Sequence, residues 1–182
     1  MAQACTLSTA RLSSPIGEII VNACSKGVHK IQLSAAESPR YKEGLSDKVV
    51  EIERDDGQSP VLNQCVGWLK VYFSDIDEAR KMTLPPLHVT TMKPDSFTAN
   101  VWKTLTEEIP VGQTISYGEL AGMVGNVKAS RAVGGAMRLN QVPLIIPCHR
   151  VIGSQGKLGN YMSDKGIPIK KWLLRHEGVT GF

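Results

Sequence analysis

No stretch of this 182-residue chain approaches the roughly 18 consecutive apolar residues that a membrane-spanning helix needs. The first residues, Met1-Ala2-Gln3-Ala4-Cys5, lack the basic start and apolar core of a secretory signal. An intracellular, reducing compartment is therefore expected, so the four cysteines, at 5, 24, 65 and 148, need a reason other than disulfides. They include no CxxC pair, and the chain has neither internal repeats nor low-complexity tracts. Charge of one sign is also scarce, with a formal net charge of only +4. Residues 1–93 carry 11 Lys/Arg against 11 Asp/Glu, and residues 94–182 carry 10 against 6, so the whole excess lies in the second half. That excludes a histone-like tail but suits a compact face meeting phosphates. What remains, 42% apolar and 21% charged, is an ordinary globular composition for one large domain or two small ones.

Three β-like runs open the chain, Cys5 to Leu12, Glu18 to Ala23 and Val28 to Ser34, separated by Ser14-Pro15-Ile16-Gly17 and Ser25-Lys26-Gly27. Such turn residues between short runs predict an antiparallel meander. Residues 36–58 are polar and read as a loop. Ser59-Pro60 then gives an N-cap and a proline at the first helical position, and Val61, Leu62, Cys65, Leu69, Tyr72 and Phe73 recur at helical spacing. Cys65 lies on that stripe as a small core residue. Residues 75–94 read as a charged, proline-containing linker, with a domain boundary at Lys93-Pro94. Asp95-Ser96 caps a second helix bearing Phe97, Val101, Trp102 and Leu105 on one face. Two short helical segments follow, Tyr117 to Val124 and Ala129 to Leu139, broken at Gly125-Asn126 in the manner of a helix-turn-helix.

Three features carry candidate chemistry, each with a plainer alternative. A turn near residues 15–16 places Cys5 roughly opposite Cys24, and a turn near 26 places Cys24 roughly opposite His29. With His88 these make a Cys2His2 set for a closed zinc site; the alternative is two half-buried cysteines and surface histidines. The second helix, Lys128-Ala129-Ser130-Arg131-Ala132-Val133-Gly134-Gly135-Ala136-Met137-Arg138, is too rich in Ala and Gly to read major-groove edges. Two internal glycines cost about 1 kcal/mol each relative to alanine. They suit close, sequence-tolerant approach to a minor groove with Arg131 and Arg138 as polar contacts, or tight packing on another helix. Finally, the apolar run Val142-Pro143-Leu144-Ile145-Ile146, read as a buried extended segment, delivers Pro147-Cys148-His149-Arg150-Val151. There Cys148 is either a nucleophile activated beside His149, with Glu177 as orienter, or an inert buried thiol. In an extended segment Cys148 and His149 point to opposite faces and need a bend or a water to communicate.

Together, Pro147-Cys148-His149-Arg150-Val151, the upstream Arg131-Ala132-Val133-Gly134-Gly135-Ala136-Met137-Arg138 and Ile115-Ser116-Tyr117 resemble the O6-alkylguanine-DNA alkyltransferases, closely over 94–182 and more loosely over 1–93. The resemblance implies an α/β fold. Residues 1–93 would form a ribonuclease-H-like α/β domain with an antiparallel sheet and a structural zinc. Residues 94–182 would form a mainly helical winged helix-turn-helix domain that binds DNA and transfers the alkyl group. It implies direct-reversal repair: the duplex is held through its minor groove, the nucleotide is flipped out, and the alkyl group of O6-alkylguanine, or O4-alkylthymine, passes irreversibly to Cys148, once per molecule. His149 would be the base through a bridging water and Glu177 its partner. Tyr117 would help rotate the nucleotide and protonate the departing base, Arg131 would fill the vacated place, and Asn140 would be the hinge after the recognition helix. Thr98, Gly118, Asn126 and Ser154 match DNA-touching positions, and Val151 and Tyr161 line the base pocket. Cys5, Cys24, His29 and His88 match the zinc set of animal members in order. The implied cofactor is one structural zinc ion with no organic cofactor. The implied partner is double-stranded DNA carrying O6-alkylguanine, with no membrane, and the protein is expected to be a nuclear monomer, cooperative assembly on DNA being left open.

Two departures stand out. Gln141 occupies the place of a proline usual after the hinge asparagine, and the loop Met162-Ser163-Asp164-Lys165-Gly166 runs two residues longer than the family's. Rival readings are a non-catalytic lesion sensor of the same fold, which would lack Cys148, a cysteine hydrolase, and a transcription regulator. The hydrolase does not account for the helix-turn-helix, and the Ala/Gly-rich helix argues against sequence-specific regulation.

Overall fold

The computed structural model describes residues 5–34, 50–54, 59–162 and 166–182, and divides the chain into Met1–Thr90 and Thr91–Phe182. The first unit is built on a four-stranded antiparallel sheet, ordered β3-β2-β1-β4, from β1 (Ser8–Ser14), β2 (Gly17–Cys24), β3 (Gly27–Leu33) and β4 (Val50–Arg54). Strand β4, paired with β1, lies inside the segment expected to be a loop. Alternation does the rest. Ala10, Leu12, Ile19, Val21, Ala23, Ile31 and Leu33 are buried on one face, beneath helix α1 (Pro60–Ser74). Ser59 caps α1 as expected, its Oγ accepting from the Leu62 N–H at 3.3 Å, and Leu62, Cys65, Leu69 and Tyr72 are fully buried.

The strand register differs from the expected one. The first paired residue is Ser8, opposite Ala23, so Cys5 precedes the strand, and Cys24 pairs with Gly27 rather than His29. Between Asn22↔Lys30 and Ala23↔Val28 the register shifts, which makes His29 the extra residue of a bulge. His29 and Lys30 therefore both leave the buried face, between buried Val28 and Ile31. The expected linker is also partly structured. It contains the short helix α2 (Ile76–Ala79), capped by Asp75, and then a parallel bridge of Leu87 to Val28. Val28 donates its N–H to the Pro86 carbonyl at 2.7 Å and accepts from the His88 N–H at 2.9 Å. Gly27 makes this possible: a Cβ there would stand 2.6 Å from the Leu87 carbonyl carbon and 2.7 Å from the His88 nitrogen.

The second unit contains helices α3 (Phe97–Glu108), α4 (Tyr117–Met123), α5 (Ser130–Arg138) and α6 (Ile167–His176), with a parallel pair β5 (Ile115–Ser116) and β6 (Val151–Ile152). Ser96 caps α3. Ser116 and Glu119 form a reciprocal capping box on α4, and this hydrogen bonding lowers the Glu119 carboxyl. Gly125, at φ 83°, turns the chain into α5, which Trp102 ties to α3 by donating Nε1–H to the Ala136 carbonyl at 2.9 Å. Residues 142–146 are not extended. The Ile146 N–H closes on the Val142 carbonyl at 3.0 Å, and Leu144, 1% exposed, sits at φ 76°. A left-handed leucine costs roughly 1–2 kcal/mol, held here by burial of its side chain.

Two glycines give opposite expectations. Gly27→Ala should destabilise the protein by about 1–3 kcal/mol, because backbone rather than side chain must move. Gly135→Ala, with nothing within 4 Å of the new carbon, should stabilise it by about 1 kcal/mol. Denaturant unfolding of the two variants checks both signs.

Candidate functional site

Pro147 cannot extend a ladder, and the Cys148 N–H turns back to the Ile146 carbonyl at 2.8 Å. Cys148–Arg150 consequently form a single 3-10 turn, which supplies the bend that a straight segment would have denied to Cys148 and His149. All three side chains are buried, as is Glu177 at the end of α6. His149 Nε2 lies 2.8 Å from Glu177 Oε1, while Arg150 donates from Nε to Oε2 at 2.8 Å and from NH2 to Oε1 at 2.9 Å. The remaining guanidinium nitrogen, NH1, donates to the Ile109 carbonyl at 2.7 Å.

Burial alone would raise the Glu177 carboxyl, but the His149 ring and the Arg150 guanidinium outweigh it and hold it well below the usual carboxylate range. Burial pushes His149 down against the pull of Glu177. Arg150 balances the Glu177 charge, and burial favours the neutral ring, which then donates Nε2–H to the carboxylate. His149 Nδ1, also buried, is then an acceptor with no partner among the described residues.

The Cys148 thiol is pushed up by burial and pulled back by the Asn140 side chain, the Lys170 ammonium and Tyr161. Asn140 is itself tethered twice, accepting from the Val142 N–H at 3.0 Å and donating to the Ile146 carbonyl at 2.9 Å. Lys170 is fully buried on α6, its Nζ donating to the carbonyls of Val151 at 2.7 Å and Leu158 at 2.5 Å, and burial brings it down to about 8. The Tyr161 hydroxyl is buried close to the sulfur without a well-directed hydrogen bond. Half-buried Tyr117 opens α4, and burial and the neighbouring Cys148 both raise its phenol. Gly159, at φ 66°, lies against it, a Cβ there standing 3.6 Å from the phenol oxygen.

Cys148, His149, Glu177, Tyr117, Asn140, Val151 and Tyr161 thus converge. Arg138, exposed on α5, acts electrostatically on Tyr117. Gly118, Asn126, Arg131 and Ser154 are exposed and Thr98 is half-buried; none is among the groups that act on Cys148. Neither Gly134 nor Gly135 is crowded, so packing within the chain does not explain them. Gln141, in the place of the expected proline, donates to Thr91 Oγ1 at 2.9 Å. Of the longer loop, Ser163, Asp164 and Lys165 lie outside the described residues. Sequence reasoning gave Arg150 and Lys170 no role. For Lys170 a signal existed: it shares the helical stripe of buried Leu173 and Leu174, where an unpaired lysine is out of place.

In the first unit, one ligand atom each from Cys5, Cys24, His29 and His88 lies within 4.8 Å of the others. His88 Nδ1 is 3.1 Å from His29 Nε2, 3.3 Å from the Cys24 sulfur and 3.7 Å from that of Cys5. A tetrahedron with bonds of about 2.0 Å to nitrogen and 2.3 Å to sulfur has edges of roughly 3.3–3.8 Å. The edges at His88 are close to those of such a tetrahedron and the other pairs lie within 4.8 Å, so the two thiols and two imidazoles could hold a metal ion.

Comparison with known proteins agrees in kind. Residues 96–179 match the family model described as 6-O-methylguanine DNA methyltransferase, DNA binding domain. The chain is 40% identical over 180 residues to the methylated-DNA–protein-cysteine methyltransferase of Mus musculus, covering 98% of this chain and 85% of that one. It is 38% identical to that of Homo sapiens over 182 residues, with 98% and 84% covered. Among solved structures, Mycobacterium tuberculosis OGT in complex with DNA superposes with a TM-score of 0.67 at 31% identity, over 92% of this chain and 90% of that one.

The buried ion network sets a pH test. Glu177→Gln leaves the 6%-exposed Arg150 without a counter-charge, a loss of about 3–5 kcal/mol at neutral pH. A carboxyl depressed on folding contributes stability above its unfolded value of about 4.3, and that stability fades as pH falls toward the lower folded value. The gap between wild type and Glu177→Gln in denaturant unfolding should therefore narrow on acidification below about pH 4; a gap independent of pH would contradict the ionised carboxylate.

Proposed function

The chain belongs to the family of methylated-DNA–protein-cysteine methyltransferases, which move an alkyl group from DNA to a cysteine in DNA repair, and we propose that Cys148 is that cysteine. The observation that carries the assignment is the buried 3-10 turn that holds Cys148 and His149 in succession, with Nε2 committed to Glu177 and Nδ1 without a partner among the described residues; His149 is then the neutral ring that can accept a proton. His149 takes the Cys148 proton through one water. The thiolate forms a sulfur–carbon bond to the alkyl carbon while the carbon–O6 bond breaks, and the electron pair stays with the guanine. Tyr117, raised by burial and so still protonated, gives its proton to N3 of the departing base. The product is a thioether, which offers water no leaving group of the kind a thioester has; each molecule acts once. Val151 and Tyr161 line the base pocket, and Asn140 is the hinge between the recognition helix and the segment that bears Cys148.

Reaching O6 requires a flipped nucleotide, at a cost of a few kcal/mol. Arg131 fills the vacated stack, and Tyr117 crowds the phosphate. Thr98, Gly118, Asn126, Arg138 and Ser154 contact the strand, on a minor-groove face supported by the uncrowded Gly134 and Gly135. The partner is double-stranded DNA bearing O6-alkylguanine, with O4-alkylthymine as second substrate. The protein acts as a monomer in the nucleus, its domains dividing near Lys93-Pro94. Cys5, Cys24, His29 and His88 hold one structural zinc, which joins the N-terminal segment, the β2–β3 turn and the linker, and leaves no position open for catalysis.

Incubation with O6-methylguanine duplex should leave one methyl, on Cys148, and stop after one turnover by intact-protein and peptide mass spectrometry. Cys148→Ala should abolish transfer and keep duplex binding. Arg131→Ala should slow transfer about ten- to a hundredfold, if it offsets roughly 1–3 kcal/mol of the flipping cost. Repeated turnover, or methyl on another residue, would refute the assignment. Elemental analysis should find one zinc per chain, lost on Cys24→Ala.

A further inference from the structure

The four ligands of the metal corner are not held alike. Cys24 is 3% exposed, ends β2 in register with Gly27, and its sulfur accepts the Lys26 N–H at 3.2 Å. His29 is fixed by the bulge between strands already paired on both sides of it. His88 is docked by the two backbone hydrogen bonds around Val28 and by the missing Cβ of Gly27. Among the described residues, Cys5 has none of these supports. It precedes the first paired residue, Ser8, lies in a segment without secondary structure, is half-buried beside exposed Thr6 and Leu7, and its sulfur is farther from His88 Nδ1 than that of Cys24, 3.7 against 3.3 Å.

We propose that Cys24, His29 and His88 form a preorganised trio and that Cys5 is the exchangeable fourth ligand, the site at which soft electrophiles attack the corner and release its metal. The inference rests on the metal reading above. The physical reason is twofold. An N–H donated to a metal-bound thiolate draws charge from the sulfur and blunts its nucleophilicity, and Cys24 has such a donor. Attack also needs access and room for the sulfur to leave, and the Cys5 segment can swing away without breaking a strand pair, whereas moving Cys24 disrupts the β2–β3 turn. With an activated alkene the step is a conjugate addition. The Cys5 sulfur forms a bond to the alkene carbon, the adjacent carbon takes a proton from water, and the metal–sulfur bond breaks. The metal is left with three ligands and an open position.

The test uses zinc-loaded, full-length Cys148→Ala protein, so that the alkyl acceptor does not compete; Cys65, buried and pushed up to about 12, stays silent. One equivalent of N-ethylmaleimide is added with a zinc-sensitive dye, and labelled peptides are counted over time. The inference expects Cys5 to label about tenfold ahead of Cys24, with zinc release following the Cys5 step. It also expects Cys5→Ala to keep zinc at weakened affinity while Cys24→Ala loses it. Labelling of Cys24 first or equally, or equal loss of zinc in the two variants, overturns the inference and leaves the metal reading standing. A carefully prepared protein that holds no zinc overturns the metal reading itself.

Discussion

A carboxylate ion buried at the end of α6 is tolerable only because Arg150 grips both of its oxygens, and the active-site geometry follows from that grip. Taking such an ion out of water costs several kcal/mol, which attraction in the interior repays only when hydrogen bonding is complete. Here it is complete. The contacts include two from Arg150 and one from His149, and the spare guanidinium nitrogen finds the Ile109 carbonyl. Because Arg150 supplies the balancing charge, Glu177 does not need a protonated His149, in keeping with the lowered pKa that burial gives the ring. The three residues Cys148, His149 and Arg150 are consecutive, so the clamp that orders the histidine also fixes the thiol. A conformation that released Glu177 would misplace both.

The segment leading into this turn stores strain in support of it. Leu144 accepts a left-handed backbone because its side chain is buried, and Asn140 bridges the turn from Val142 to Ile146. One residue, Leu139, separates α5 from Asn140, so the tethered turn is joined closely to the helix bearing Arg131. Lys170 closes the opposite side by joining the carbonyls of Val151 and Leu158. It also places a cation near the Cys148 thiol, which tempers but does not overcome the upward push of burial. The pocket is thus held by polar contacts within an apolar shell, an arrangement that is rigid when satisfied and costly when any member is lost.

Much of this was legible in the residues. Capping at Ser59 and Ser96, the break at Gly125-Asn126 and the helix that follows it are local chemistry, and local chemistry is what spacing and turn residues report. The pairing of His149 with Glu177 and the grouping of Cys5, Cys24, His29 and His88 were legible in the residues. The path that assembles the four Cys and His side chains was not. His29 enters through a bulge, His88 through a backbone approach that only Gly27 permits, and Cys5 from ahead of the strand. Such long-range details depend on tertiary packing, which no short window contains. Strand β4 was not read because its alternation, Val50-Glu51-Ile52-Glu53-Arg54, offers only two apolar residues within a long polar and charged stretch. The run 142–146 looked extended because burial, not periodicity, sets the backbone of Leu144. Arg150 stood in plain view within the motif, yet its value lies in a partner 27 residues away.

The central claim, that an ionised Glu177 balanced by Arg150 holds His149 as a neutral base toward Cys148, is tested most directly by nitrogen-detected NMR of the His149 ring at neutral pH. The account predicts one tautomer, protonated at Nε2 and bare at Nδ1. A ring protonated at Nδ1 instead, or at both nitrogens, would contradict it.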